Sequence, residues 1–438
     1  MKTLTSPDTV TPMTDQDPAP TPHRRISTKE AAELLGVKPE TVYAYVSRGQ
    51  LGSRRGQGGR GSTFDAKEVE ALARRHSRER QPARSRGELS VRTHITLIDG
   101  DRYYFRGVDA VELATRHSYE EVAEWLWTGD LRPGARFSAP EAATAVARRA
   151  VRALPSTSGP TDRLRVAAVA AAAADPLRFD LSQQAVLGTA RTLVPTLVAA
   201  LPPVAQGHRD EGSSLARGLW ARLTGRPVDE TALRVLDTAL ALLVDHDLAV
   251  STLAVRLAAS ARAHVYAALS AGLGVLEGPL HGAASGLAHR MLLEVLDQGS
   301  AAPVVAEELR AGRAVPGLGH RLYPGEDPRA RALFALLADV PGAAPALAAA
   351  RDVVATAARH TPLHANADLA LAVLTVSTGM PAGAGETIFA VARSAGWIAH
   401  ALEEYAETPL RMRPSGLYTG PRPPQPLPAP ADAAHPEA

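Results

Sequence analysis

The sequence predicts a mainly α protein, in which a large all-helical domain is preceded by a small helix-turn-helix domain with a short wing. Three observations carry this expectation. From about Val108 to Ala406, apolar residues recur at spacings of three and four, in runs such as "ALRVLDTALALLVD" and "RARALFALLADV" separated by short Gly/Pro breaks. Between Ile26 and Leu51, two much shorter helical runs lie back to back. A chain of 438 residues also exceeds what one compact core organises, so two or three domains are expected.

Taken in order, residues 1–22 are rich in Thr, Pro and Asp with no hydrophobic period, and read as a disordered tail. The small domain spans 23–76. Its first helix takes Ser27 or Thr28 as N-cap, turns Ala31, Leu34 and Leu35 inward, and stops at Gly36. A second helix starts at Pro39 with Val42, Tyr45 and Val46 inward. The stretch "GSRRGQGGRGSTF" suits a loop or small wing, and Asp65 caps a third helix in "DAKEVEALARR". Residues 77–88, charged and turn-rich, form a linker, and the large domain covers 89–420. Within it "THITLIDGDRYYFRG" predicts a hairpin around Asp99-Gly100 before the helices begin. A Pro-rich tail, 421–438, is again expected to be disordered.

Charge divides the chain. The net value of +2 conceals sixteen Lys or Arg against eight Asp or Glu within residues 23–92, so an anionic partner is expected at this end alone. The absence of cysteine excludes disulfides, thiolate metal sites and cysteine nucleophiles, and agrees with a reducing cytoplasm. No apolar run is long enough to span a bilayer, and no metal-ligand spacing or phosphate-binding glycine loop is present. Catalysis then rests on His, Asp, Glu, Arg, Ser or a cofactor.

The segment from Ile26 resembles the helix-turn-helix of the MerR and excisionase families. That resemblance implies duplex DNA as partner, with Thr41, Tyr43 and Arg48 projecting from the second helix and Arg54, Arg55 and Arg60 meeting phosphates. A docking or oligomerisation module is the alternative.

In the large domain, His, Asp and Arg gather in islands: "DHDLAVST", "GPLHGAAS", "VPGLGHRLYPGEDPRA", "HANADLA", and the long stretch from "FAVARSAGWIAH" to "RMRPSGLYTG". Together, in this order, they resemble the citrate synthase family, whose members are nearly all-helical dimers. The resemblance implies condensation of acetyl-CoA, or alternatively propionyl-CoA, with oxaloacetate, the chemistry that feeds the tricarboxylic acid cycle. It implies no cofactor beyond the acyl-CoA co-substrate and no metal. Asp368 would be the base and His281 the hydrogen-bond donor to the enolising thioester, while His320 would polarise the ketone. Val315, Pro316, Gly317, Leu318 and Gly319 would contact CoA. His246, Phe389 and the guanidinium forks of Arg329, Arg393 and Arg413 would hold the oxoacid, Arg413 reaching in from the other subunit of a homodimer. The chain departs from the family at Ser285, Ala249, Leu369 and Pro324, which bear on CoA and supporting contacts. A transcription regulator that uses a weakly active or inactive synthase domain as metabolite sensor is the competing reading.

Overall fold

The structure, a computed structural model, describes residues 25–35, 37–47, 50–55, 62–70, 72, 91–204, 214–278, 284–360, 363–415, 417–422, 424–425 and 427. Two compact units divide between Ser90 and Val91. The segment 77–88, expected to be a linker, lies outside the described residues.

In the first unit, Ser27 is the cap of the helix Thr28–Leu35. The Glu30 carboxylate accepts from the Ser27 backbone N–H at 2.8 Å, while the Glu30 N–H donates to Ser27 Oγ at 3.3 Å. The helix Pro39–Ser47 follows, with Val42 and Tyr45 buried as expected and Val46 packed beside them. Leu34 corrects the expectation: it is 51% exposed, and Ala32 is buried in its place beside Ala31 and Leu35. The inward face is therefore Ala31, Ala32 and Leu35. The wing is real, since Ser53–Arg55 pairs antiparallel with Ser62–Asp65. A strand the sequence did not announce, Arg25–Ser27, pairs on the other side of Ser62–Asp65. Asp65 accepts from the Lys67 N–H at 2.9 Å and starts the helical residues 66–70.

The second unit opens on the expected hairpin. Thr96–Asp99 pairs with Arg102–Phe105 so that Asp99 faces Arg102 and Gly100 takes φ 61°, and Val108–Asp109 adds a third short strand. Asp109 then caps the first of a series of helices running to Tyr405. The helix Ala384–Tyr405 is buried on every side and serves as the axis of the core, with Ile388, Val391, Trp397 and Ile398 sealed from solvent. Its central glycine has a steric reason: a Cβ on Gly396 would sit 2.0 Å from the Val244 carbonyl oxygen. Only glycine lets the axis helix touch the backbone there, immediately before His246. No helix among the described residues is long and apolar enough to cross a membrane.

Candidate active site

Three chain segments and the axis helix converge. The first is the turn after Glu230–Leu242, which carries His246. Directly after it, Asp247 takes a left-handed φ of 58°, a conformation costly for a non-glycine residue, and turns the chain sharply behind the imidazole. The second is 315–329. Gly317 and Gly319 both have positive φ, and a Cβ on Gly317 would lie 2.8 Å from Cβ of Leu369, so this loop presses on the third segment. Hydrogen bonds stitch the two together: Gly319 N–H to the His364 carbonyl at 2.7 Å, Asn366 N–H to the Gly317 carbonyl at 2.9 Å, and Asn366 Nδ2 to the Gly319 carbonyl at 2.9 Å. Asn366 also caps the helix Ala367–Ser377, whose first turn holds Asp368.

The side chains meet in one cluster. The rings of His246 and His320 lie 5.0 Å apart, nearly perpendicular. Arg329 and Asp327 form a buried two-pronged pair, Nε to Oδ1 at 3.0 Å and Nη2 to Oδ2 at 2.7 Å, and Oδ2 also accepts from Ala367 N–H at 3.1 Å. Asp327 thus ties the arginine to the helix bearing Asp368. On the axis helix, the Arg393 guanidinium stacks on Phe389 at 4.7 Å. Among the described residues its hydrogen-bond partner is the Leu243 carbonyl, at 3.0 Å from Nε. A small cavity of about 110 Å³ opens beside Phe389, between Glu386, Leu276 and Pro160.

Burial sets the protonation states. It drives the His246 imidazole well below its ordinary range, aided by the cationic Arg329 and Arg393. It takes His320 down to about 4, with Arg329 pulling in the same direction and Asp327 opposing. Both rings are therefore neutral at physiological pH. Asp368 moves the other way, up to about 6, because burial and the neighbouring Asp327 and Glu386 outweigh Arg329. Arg393 falls to about 10 through burial and Arg329, against Asp245. Such a cluster offers two cations, two neutral hydrogen-bonding rings and one carboxylate of raised basicity. That set can bind a dianion and accept a proton beside it.

The structure thus brings together His246, His320, Arg329, Phe389 and Arg393, with Asp368 within electrostatic reach of Arg329 and the loop 315–319 alongside. His281 lies outside the described residues, as do Arg48 and Arg60. Arg413 is exposed and is not gathered into the cluster of its own chain. In the first unit Tyr43 and Arg54 are exposed and Thr41 is half-buried, while the side chain of Arg55 lies outside the description. No group of three or more His, Asp or Glu among the described residues is arranged to hold a metal.

Sequence reasoning missed three participants. Tyr323 places its hydroxyl 2.7 Å from Nε2 of His246. Asp327, inside the "DPRA" motif, grips Arg329. Behind His246, Asp245 accepts from His400 Nε2 at 3.2 Å, Arg256 Nη1 donates to His400 Nδ1 at 3.0 Å, and Arg256 joins Glu404, which in turn holds the fork of Arg411 at 2.9 and 2.6 Å. A buried relay of charges thus runs from the neighbour of His246 to a residue two positions before Arg413. The available signals were the tyrosine of "GHRLY" and the aspartate of "DPRA", both inside quoted motifs, and one histidine in a buried helix.

Comparison with known proteins bears on the family and the fold. A family model described as citrate synthase, C-terminal domain, matches residues 84–415, and one described as helix-turn-helix domain matches 26–77. The citrate synthase of Haloferax volcanii is 30% identical over 362 residues, 76% of this chain and 94% of that protein. A 2-methylcitrate synthase of Mycobacterium tuberculosis is 26% identical over 341 residues, 72% of this chain and 84% of that protein. The crystal structure of citrate synthase from Pyrobaculum aerophilum superposes with a TM-score of 0.63 at 25% identity, covering 78% of this chain and 92% of that one. Motifs, helical architecture and the match across 84–415 lead to one assignment: the chain belongs to the citrate synthase family and is a citrate synthase-like enzyme with a helix-turn-helix domain ahead of it.

Proposed function

We propose that the protein condenses acetyl-CoA, with propionyl-CoA as the alternative substrate, with oxaloacetate in the cytoplasm. It works as a homodimer with shared active sites, and its N-terminal unit binds duplex DNA. The carrying observation is the pair of buried arginines facing two neutral imidazoles. Arg329 is already matched by Asp327, but Arg393 has a carbonyl partner and a lowered affinity for its proton, so the cluster gains from an incoming dianion. Oxaloacetate supplies two carboxylates and, between them, a ketone for His320.

Each step has a group suited to it. Asp368, basic near neutral pH, takes a proton from the acyl methyl carbon while His281 hydrogen-bonds to the thioester oxygen, and the resulting enol carbon attacks the ketone. His320 accepts the Leu322 backbone N–H at Nδ1, 3.1 Å away, so Nε2 carries the proton. That N–H polarises the ketone and protonates the new alkoxide. Water then cleaves the thioester, releasing CoA and citrate, or 2-methylcitrate from propionyl-CoA. Val250 and Leu257, both exposed on the helix Val250–Ser260, offer apolar surface suited to a second subunit. Exposed Arg413 would then serve the partner's site.

The sensor reading is disfavoured by Asp368, since recognition of an oxoacid needs no base. Release of free CoA from acetyl-CoA or propionyl-CoA in the presence of oxaloacetate tests the enzyme reading. Absence of release with both thioesters refutes it.

A further inference from the structure

One group at the centre of the cluster has no assigned part. The Tyr323 side chain is 2% exposed and touches three of the residues proposed to hold the oxoacid. Its hydroxyl lies 2.7 Å from His246 Nε2, and its ring stands 5.0 Å from the His320 ring at 35°. The Arg329 guanidinium lies 6.0 Å from the ring centre, and a backbone bridge pairs His320 with Tyr323 itself. We propose that Tyr323 is a positioning residue for oxoacid binding: its hydroxyl orients the His246 imidazole, and its ring spaces His320 and Arg329 around the same ligand.

The chemistry of the partner explains why a tyrosine serves here. Two buried histidines of this unit can be compared. His400 is paired with the carboxylate of Asp245 through one ring nitrogen and accepts from Arg256 at the other. His246, one residue along the chain, is paired with a phenol instead. A phenol buried this deeply keeps its proton, so it orients the imidazole through a neutral hydrogen bond and adds no negative charge. Arg329 is already matched by Asp327, so a neutral phenol places no second anion beside it, and the Arg393 guanidinium, held by a carbonyl, remains available to a ligand carboxylate. A carboxylate at 323 would compete with the ligand beside Arg329.

This inference rests on the reading of His246, His320 and Arg329 as oxoacid-binding groups, and the test separates the two. Full-length wild type, Tyr323→Phe, Tyr323→Leu, His246→Ala and the double variant Tyr323→Phe/His246→Ala are compared by calorimetric titration with oxaloacetate and by steady-state kinetics. Removing the hydroxyl alone should raise Kd and KM for oxaloacetate about three- to tenfold, as expected for one hydrogen bond between neutral groups, while kcat changes less. In the His246→Ala background the same change should add nothing, because the effect passes through that ring. Loss of the whole ring in Tyr323→Leu should lower kcat as well, through His320. An unchanged Kd in Tyr323→Phe, or a full additional effect without His246, overturns the proposal while leaving the enzyme reading intact. A wild type that neither binds nor consumes oxaloacetate overturns both. Should Tyr323→Phe fail to fold, nitrogen-15 NMR of the wild-type histidines decides: a His246 ring that titrates in its ordinary range contradicts neutral orientation by the phenol.

Discussion

Asp327 holds Arg329 by two parallel hydrogen bonds and, with the same Oδ2, caps the Ala367 N–H of the helix that carries Asp368. One carboxylate therefore sets the distance between an oxoacid arginine and the proposed base. Asp327→Ala should leave a buried guanidinium uncompensated and cost about 3–5 kcal/mol of stability, read from urea unfolding. Oxaloacetate affinity should fall with it. A variant with wild-type unfolding and wild-type affinity would show that the pair is incidental.

The pH dependence of turnover should carry the signature of Asp368. With its carboxyl at about 6 in the free protein, the base is lost as pH falls through that value, so kcat/KM should drop tenfold per unit on the acid side. His320, at about 4, stays neutral throughout and adds no limb above pH 5. Asp368→Ala should lower kcat by at least about 10²-fold. The linkage to stability has a definite sign. Because the folded carboxyl binds its proton more tightly than the ordinary value of 3.8, the chain loses stability as pH rises from about 4 to about 6. Asp368→Asn should therefore melt higher than wild type at pH 7.5, with the gap closing below pH 4.

Subunit exchange tests the crossing of Arg413. Asp368→Asn and Arg413→Ala homodimers should each be nearly inactive. After demonstrated exchange, about half the dimers are mixed, each with one site wholly intact, so activity should recover toward roughly a quarter of wild type under two-fold symmetry. Absence of recovery would mean that Arg413 serves its own chain.

DNA binding by the first unit should behave as a phosphate-dominated contact. Duplex retention should fall steeply between about 50 and 200 mM salt, and combined substitution of Arg54, Arg55 and Arg60 should weaken it on all sequences alike. A chain shortened to begin at Gly87 should retain synthase activity. An intact protein that ignores duplex DNA at low salt refutes this division.

Local chemistry made much of the fold legible. Ser27 with Glu30, Asp65, and the Asp99-Gly100 turn each act within a few residues, and each was readable from the chain. The strand Arg25–Ser27 was not, since three residues offer no alternation to count. Leu34 was misplaced because an eight-residue helix rich in alanine permits two inward stripes. In the site, motif residues were legible as types in order. Their supports were not, because the partners of His246 and Asp245 lie 77 and 155 positions away and only folding makes them neighbours.

The relay from Asp245 through His400, Arg256 and Glu404 to Arg411 has a consequence for how such a chain can change over generations. It braces the turn of His246 and, at its far end, the segment presenting Arg413. If that segment completes the partner's site, a single inherited substitution in the relay disturbs two sites at once, one in each subunit. Drift at these positions would be penalised twice, and repair would require compensation inside the same buried row. Exposed loops of this chain are free to diverge singly; the relay can only be replaced as a set.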